Sequence, residues 1–405
     1  MRIAFLYDCV YPFKIGGVER RVWELARRLA LRGHDVHQFG MKFWDGPDTI
    51  GREGVVIHGI SPLPGYAGRN DVQGFPEYCQ QRSGSVPELY IGGRRAIVPA
   101  LRYSAALLRP LLSEGFDILD VQHFPYFPVF SAAFASRLRN APMVVTWHEV
   151  WDRYWGEYLG GAGFVGRGIE RMAARLPGQL VAVSGTTRDQ LRQIHVTKPV
   201  TVVPNGIDTA FLASVAPVSE RWDLIFAGRL ISEKRVSLLL DAVSFLRKDS
   251  PALSVLIVGD GPERMQLMQQ AERLGISGNV TFRDFTRDPA GFYGILKSGR
   301  VFVSPSMREG FGMTALEAMG CGIPVVTVNH PRNAVRELVT PATGCIAEPD
   351  PGSLAAAIRT CLAGSSGYRD ACLRAANRFD WDRIVPELEQ VYETAVAAKS
   401  SGRTS

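Results

Sequence analysis

Two glutamates, Glu309 and Glu317, stand eight residues apart in the segment Pro305-Ser306-Met307-Arg308-Glu309-Gly310-Phe311-Gly312-Met313-Thr314-Ala315-Leu316-Glu317. Paired carboxylates suit acid–base work across a bond, but only at the right separation. A wholly helical span would put them roughly 12 Å apart along its axis, wider than the roughly 5–9.5 Å of pairs that hydrolyse glycosidic bonds. Acids so spaced suit the two ends of a long ligand. The segment reads as a strand ending at Ser304, a glycine-bearing loop, and a helix beginning near Gly312. Unpaired N–H groups and the positive end of that helix mark a place for an anion or a hydroxyl. A capping Glu309 with a solvated Glu317 on the helix fits the same spacing.

Other candidates fall at similar junctions. Arg229 follows a strand end in Gly228-Arg229-Leu230, and Lys234 opens the next helix, so both cations can reach an anion at the carboxyl ends of strands. Solvated side chains at a turn are the alternative. Gly16-Gly17 lies between the first strand and the helix at 20–31, where backbone can approach a phosphate or sugar closely. The pair lacks the G-x-G-x-x-G spacing of dinucleotide binding and also fits a plain tight turn. Gly259-Asp260-Gly261-Pro262 is a second glycine turn, for which a structural role is as good a fit as ligand contact. His123 and His148 each follow a strand, which favours function over a satisfied core imidazole. The stretches 123–128 and 147–155, the latter opening on Trp147, are rich in aromatic rings that stack on sugars, sit at membrane interfaces or pack a core. Asp380-Trp381-Asp382 mimics a D-x-D metal motif, yet it precedes the last helix rather than ending a strand. Ser184 reads as a helix cap, and no His/Cys/Asp cluster has metal-ligand spacing, so no metal is expected.

These residues need elements to hold them. Short apolar runs alternate with amphipathic stretches, the pattern of strands and crossover helices in a parallel α/β sheet, and it occurs twice. Strands are expected at 2–7, 35–39, 118–121, 143–147 and 180–183, with a helix at 18–31. The second half reads as strands at 224–227, 254–258, 280–282, 301–303 and 324–328 separated by helices at 234–246, 263–274, 292–296 and 313–319. The turn-rich segment Val203-Pro204-Asn205-Gly206-Ile207-Asp208 marks the seam, giving domains at 1–204 and 205–383, with a final helix at about 384–398. A length of 405 residues agrees with two domains. Ligands of such sheets bind beyond the strands' carboxyl ends, so a cleft between the domains is expected.

Composition narrows the class. Hydrophobic residues make up 46% and charged residues 21%, which describes a globular chain. The net charge of +6 fits anionic partners, and basic residues crowd the helix at 19–32 and recur at Arg94, Arg95, Arg102 and Arg109. No zinc-finger, RNP or basic-zipper pattern appears, which speaks against nucleic acid. Six cysteines without a C-x-x-C pair point to a reducing compartment. With no signal-peptide pattern and no apolar run of membrane-spanning length, a cytoplasmic protein is expected, with room for a peripheral position on a membrane. Residues 65–87 read as a loop-like insertion and residues 399–405 as a loose tail.

Glu309 through Glu317 resembles the E-x7-E signature of the retaining glycosyltransferases of family four, which have the GT-B architecture of two Rossmann-like domains. Gly16-Gly17-Val18-Glu19, Val203 through Asp208, Gly228-Arg229-Leu230 with Glu233-Lys234, and Gly259-Asp260-Gly261-Pro262 resemble further motifs of that family, in order, along nearly the whole chain. The resemblance implies retaining transfer of a hexosyl unit from a nucleoside diphosphate sugar, a UDP- or GDP-sugar, to a glycan or lipid-linked acceptor, with no cofactor. It makes 1–204 the acceptor-binding and 205–383 the donor-binding domain, with the final helix crossing back to the first, and it gives the donor diphosphate to Arg229 and Lys234, hydroxyls of the transferred sugar to Glu309, and the ribose diol to Glu317. Gly310, Phe311, Gly312, Met313 and Thr314 complete the donor turn, Gly259 and Asp260 lie near the nucleotide, and Gly16 and Gly17 close over the phosphate. His123 reaches the sugar and diphosphate, while His148 and Trp147 stand on the acceptor side. The arginine-rich helix with the aromatic stretches permits a lipid-linked acceptor on an anionic membrane. A nucleotide-sugar 2-epimerase of the same architecture and a non-catalytic nucleotide-sugar-binding protein are the rival readings.

Overall fold

The computed structural model describes residues 1–44, 46–62, 90, 91, 94–286 and 288–400; the expected insertion at 65–87 and the end of the tail lie outside them. The chain divides into two compact units. Met1–Val183, Thr187–Val203 and Asp382–Ser405 form the first, and Ser184–Thr186 with Pro204–Trp381 the second.

The first unit is built on β1 (Arg2–Leu6), β2 (Asp35–Lys42), β3 (Thr49–Arg52), β4 (Val55–Pro62), β7 (Ile118–Gln122), β8 (Met143–Trp147), β9 (Gln179–Ala182) and β10 (Val200–Val202), with β5 (Tyr90–Ile91) and β6 (Arg94–Arg95) as a separate small pair. The sheet order is β10-β9-β8-β7-β1-β2-β4-β3. All neighbours are parallel except the β3–β4 hairpin, whose turn residues Glu53 and Gly54 both have positive φ (48° and 80°), as a two-residue turn between twisted strands requires. Helix α1 (Gly17–Leu31) crosses from β1 to β2, α2 (Ile97–Ser113) leads into β7, and α3 (Phe127–Arg139) joins β7 to β8.

The second unit is a six-stranded parallel sheet in the order β13-β12-β11-β14-β15-β16, from β11 (Trp222–Ala227), β12 (Val255–Val258), β13 (Val280–Arg283), β14 (Gly299–Ser304), β15 (Val325–Val328) and β16 (Gly344–Ala347). Its strands are continuous apolar runs, such as Val255-Leu256-Ile257-Val258, because helices cover both faces. In both sheets the order reverses beside the first strand, between β1 and β7 and between β11 and β14. In open α/β sheets ligands bind beyond the strands' carboxyl ends at such a switch point.

Three differences from the expected elements have physical causes. The helix expected from Lys234 begins at Val236 (α4, Val236–Asp249), because Ser232–Lys234 form a 3₁₀ turn and Arg235 takes a left-handed φ of 50°. The β3–β4 hairpin and helices α2 and α3 have no counterpart in the sequence reading. In α3 apolar residues occupy exposed as well as buried positions, which weakens the helical period, and α2 likewise carries apolar residues on its exposed side. The last helix, α5 (Trp381–Ser400), starts three residues earlier than expected; from Asp382 onward it belongs to the first unit, the unit to which it is expected to return. None of the described helices is long and apolar enough to cross a membrane.

Candidate active site

In the second unit, Arg229 and Glu309 emerge from β11 and β14, adjacent parallel strands in the register Leu224 to Val301 and Ile225 to Phe302. Glu309 Oε1 accepts hydrogen bonds from Lys234 Nζ and from Ser306 Oγ (3.0 Å). The backbone of Glu309 is held as well, by the segment that follows β15. Its N–H donates to Arg332 O (2.9 Å) and its C=O accepts from Ala334 N–H (2.9 Å). Asn333, fully buried between those two bonds, donates to Thr327 Oγ1 and Val328 O (both 2.9 Å) and so fastens the loop to β15. Met307 N–H donates to Glu233 O (2.9 Å), and Arg308 pairs with the Glu233 carboxylate (3.4 Å). The two cleft-facing turns expected from sequence are thus cross-linked.

Arg229 is exposed and its side chain has no partner among the described residues. Its turn is fixed from behind: Leu230 N–H donates to Asp260 O (2.9 Å) and Glu263 N–H to Leu230 O (3.1 Å). A Cβ at Gly259, where φ is 147°, would lie 1.9 Å from Gly228 O, and one at Gly261 2.3 Å from Leu230 O. The glycines of that motif are therefore demanded by packing against the arginine's turn, while the Asp260 side chain is exposed.

Gly312 (φ 97°) starts α6 (Met313–Gly320), and Met313 and Thr314 form its half-exposed first turn. A Cβ at Gly312 would meet Val335 Cγ2 at 2.4 Å. Phe311 is buried against Phe379 (5.9 Å, edge-on), beside the half-exposed Gly310. Glu317 is buried rather than solvated, and its Oε1 accepts from Tyr293 Oη (3.0 Å). Only the last part of the Glu309–Glu317 span is helical, so the all-helical spacing does not apply.

In the first unit, His123 follows β7 and is 2% exposed. Burial pushes its imidazole down to about 3, so it is neutral near pH 7. Its Nδ1 accepts from the His148 N–H (3.2 Å), which places the ring proton on Nε2, and Nε2 has no partner among the described residues. Trp147 is fully buried and stacks on His123 (4.7 Å, 22°). It backs that imidazole and presents no face to an acceptor. His148 is also kept neutral, by burial first and by the neighbouring His123 and Arg21. Its Nε2 bonds Gln122 Oε1 (2.8 Å), Gln122 Nε2 donates to Asp120 Oδ1 (2.8 Å), and Tyr392 Oη from α5 donates to Asp120 Oδ2 (2.6 Å). An amide oxygen only accepts, so His148 carries its proton on Nε2 and leaves Nδ1 as an acceptor. The last helix thus orients His148 through Asp120 and Gln122, which the sequence reading passed over. Their signal was present: two polar residues two apart lie on one face of an otherwise apolar strand.

Gly16 caps α1 in extended conformation and Gly17 is exposed. Glu19 folds back on this turn: a Cβ at Gly16 would lie 2.4 Å from its Oε2, and the carboxylate pairs with Lys14 at 3.6 Å. The positive end of α1 already faces an acid. The aromatic stretch at 147–155 packs on itself, with Trp151 4.8 Å from Trp155. Asp380 accepts from Thr209 N–H (3.1 Å) and Asp382 from Arg28 Nε (2.9 Å), so each acid of the D-x-D look-alike has a structural partner. No group of three or more potential metal ligands occurs among the described residues.

Two doubly wound sheets, each with polar side chains at its switch point, make up the GT-B architecture. Residues 15–211 match the model described as Glycosyltransferase Family 4, and residues 209–378 the model described as Glycosyl transferases group 1. A GDP-mannose-dependent alpha-(1-6)-phosphatidylinositol dimannoside mannosyltransferase of Mycobacterium tuberculosis is 30% identical over 74% of this chain and 78% of its own. A glycogen synthase of the same organism is 28% identical over 100% of this chain and 96% of its own. Among solved structures, a sucrose-phosphate synthase from Thermosynechococcus elongatus shares the fold with a TM-score of 0.76, at 20% identity over 98% of this chain and 99% of that one. The chain belongs to glycosyltransferase family 4 and is a glycosyltransferase.

Two outcomes follow from this geometry. Gly259→Ala should lose about 3 kcal/mol in urea unfolding through strain and the clash with Gly228, whereas Asp260→Ala should stay within about 0.5 kcal/mol of wild type; equal effects would contradict a packing role for the glycine. Burial pushes the Asp120 carboxyl up to about 6, above its unfolded value. The stability this group contributes is full below the unfolded value of about 4 and is lost as pH rises through about 6. The stability of wild type relative to Asp120→Asn should therefore fall by about 2 kcal/mol between pH 4 and pH 7; parallel profiles would refute the shift.

Proposed function

We propose that this enzyme transfers a hexosyl unit from a UDP- or GDP-sugar to a glycan or lipid-linked acceptor with retention at the anomeric carbon. The observation that carries the reading is the trio at the second unit's switch point: Arg229, whose side chain has no partner among the described residues, five residues before Lys234, which pairs with Glu309 on a turn held by the segment around Asn333. Relatives support the donor class, one being named for GDP-mannose and another a glycogen synthase.

In this reading Arg229 and Lys234 take the donor's diphosphate, with the start of α6 at Gly312, Met313 and Thr314 adding backbone N–H groups. Once Lys234 turns to the diphosphate, Glu309 is released to accept hydrogen bonds from sugar hydroxyls, while Ser306 keeps it aimed. Glu317 takes the ribose diol, exchanging or sharing its bond from Tyr293. The second unit is then the donor-binding domain and the first the acceptor-binding domain. His123, whose Nε2–H lacks a partner among the described residues, donates to an oxygen of the bound donor, and His148 serves the acceptor side with Nδ1. The acceptor oxygen attacks the anomeric carbon on the face the diphosphate leaves. The sugar–phosphate bond breaks, the acceptor's proton passes to a diphosphate oxygen, and the two cations hold the charge that develops there. Those cations do the work a metal would otherwise do, so no metal or other cofactor is required.

With UDP-glucose and GDP-mannose as trial donors, Glu309→Gln and Arg229→Ala should each lower kcat by about 10²–10³-fold with unchanged thermal unfolding. Near-normal turnover in either variant would sink the assignment. The anomeric configuration of the product, read by NMR, tests retention, and product formed without acceptor would favour an epimerase.

A further inference from the structure

The arginine-rich helix α1 offers little free charge. Arg21 is buried and bonds Val203 O (3.1 Å), Arg27 pairs with Glu24 (2.7 Å), Arg28 with Asp382 (2.9 Å) and Arg32 with Glu389 (2.7 Å). Basic residues without ion-pair partners among the described residues stand beside exposed apolar side chains elsewhere in the first unit, on α2 and α3. These neighbouring helices are joined by Ser131 Oγ, which bonds Ser104 Oγ and Ser104 O (both 2.8 Å).

On α2 the buried residues are Ala100, Tyr103, Ser104, Leu107 and Leu111. At roughly 100° per residue, Ile97, Val98, Leu101, Arg102, Ala105 and Arg109 fall on the opposite arc, and all are exposed. Ile97 and Val98 are each 57% exposed and Leu101 46%. On α3 the outer arc holds Phe134 (52%), Arg137 and Leu138 (59%), with Arg139 at the helix end. Neither helix contains an aspartate or glutamate. Arg102, Arg109, Arg137 and Arg139 have no ion-pair partner among the described residues.

We infer that the outer face of α2 and α3 docks on an anionic lipid bilayer. Large apolar side chains turned to solvent are the reverse of a water-facing helix. Entering the headgroup boundary covers them while the arginines pair with lipid phosphates. The charge selects this occupant over a second copy of the same face, which would set four arginines against four, and the apolar side chains select it over a nucleic acid. The inference deepens the lipid-linked reading of the acceptor and rests on that reading for its purpose, but vesicle binding tests it with neither donor nor acceptor present.

The experiment is co-sedimentation of the full chain with phosphatidylcholine vesicles, with and without phosphatidylglycerol. The wild type should partition at least about tenfold more strongly onto the anionic vesicles, and added salt should weaken it. The combined Arg102→Gln, Arg109→Gln and Arg137→Gln variant should lose about a hundredfold, at about fivefold per arginine. Leu101→Glu with Phe134→Glu should abolish binding. All five sites are exposed, and circular dichroism melting checks that each variant folds. Equal binding to neutral vesicles, no binding, or variants that bind like wild type would overturn the inference. So would a dimer that the Leu101→Glu, Phe134→Glu variant dissolves, because the face would then belong to a second copy.

Discussion

The ion pair between Lys234 and Glu309 is the constraint that ties together the two turns at the second unit's switch point. Its partners lie 75 residues apart in sequence, on turns that follow β11 and β14. They meet because the sheet order makes those strands neighbours. A partly buried ion pair is a poor way to gain stability, since desolvation offsets much of the attraction and apolar residues often serve as well. Here it keeps a cation and an anion, each useful to a ligand, assembled in its absence. The surroundings serve the same end, with Asn333 fixing the carboxylate's loop and Glu233 holding Met307 and Arg308.

The first unit meets the opposite problem, that of keeping imidazoles uncharged. Burial removes the charge of both His123 and His148, and hydrogen bonds then decide which nitrogen donates. His123 presents a donor and His148 an acceptor, because the first accepts a backbone N–H and the second spends its proton on Gln122. A chain that leaves one unit and ends in the other gives α5 a role in this, through Tyr392 and Asp120.

Much of this was legible in sequence. Alternating apolar runs and helical periods disclose two parallel sheets, since strands covered on both faces have no reason to carry polar residues. The glycine turns and the acids at 309 and 317 stood out because they interrupt that pattern at strand ends. What escaped is contact between distant segments: nothing near Asn333 reveals that it locks Glu309, and nothing near Tyr392 that it reaches Asp120. Trp147 drew notice as an aromatic ring, but only packing shows that it backs His123. Helices α2 and α3 carry apolar side chains on their exposed faces, which is unlike a helix that meets only water.

The most direct measurement is a double-mutant cycle on kcat/KM for sugar transfer, using Lys234→Met, Glu309→Gln and the two combined. If the pair acts as one assembled clamp, each single change costs about a hundredfold or more and the double variant falls little below the worse of the two. Losses that multiply would mean that the two residues act independently, and the clamp would not exist.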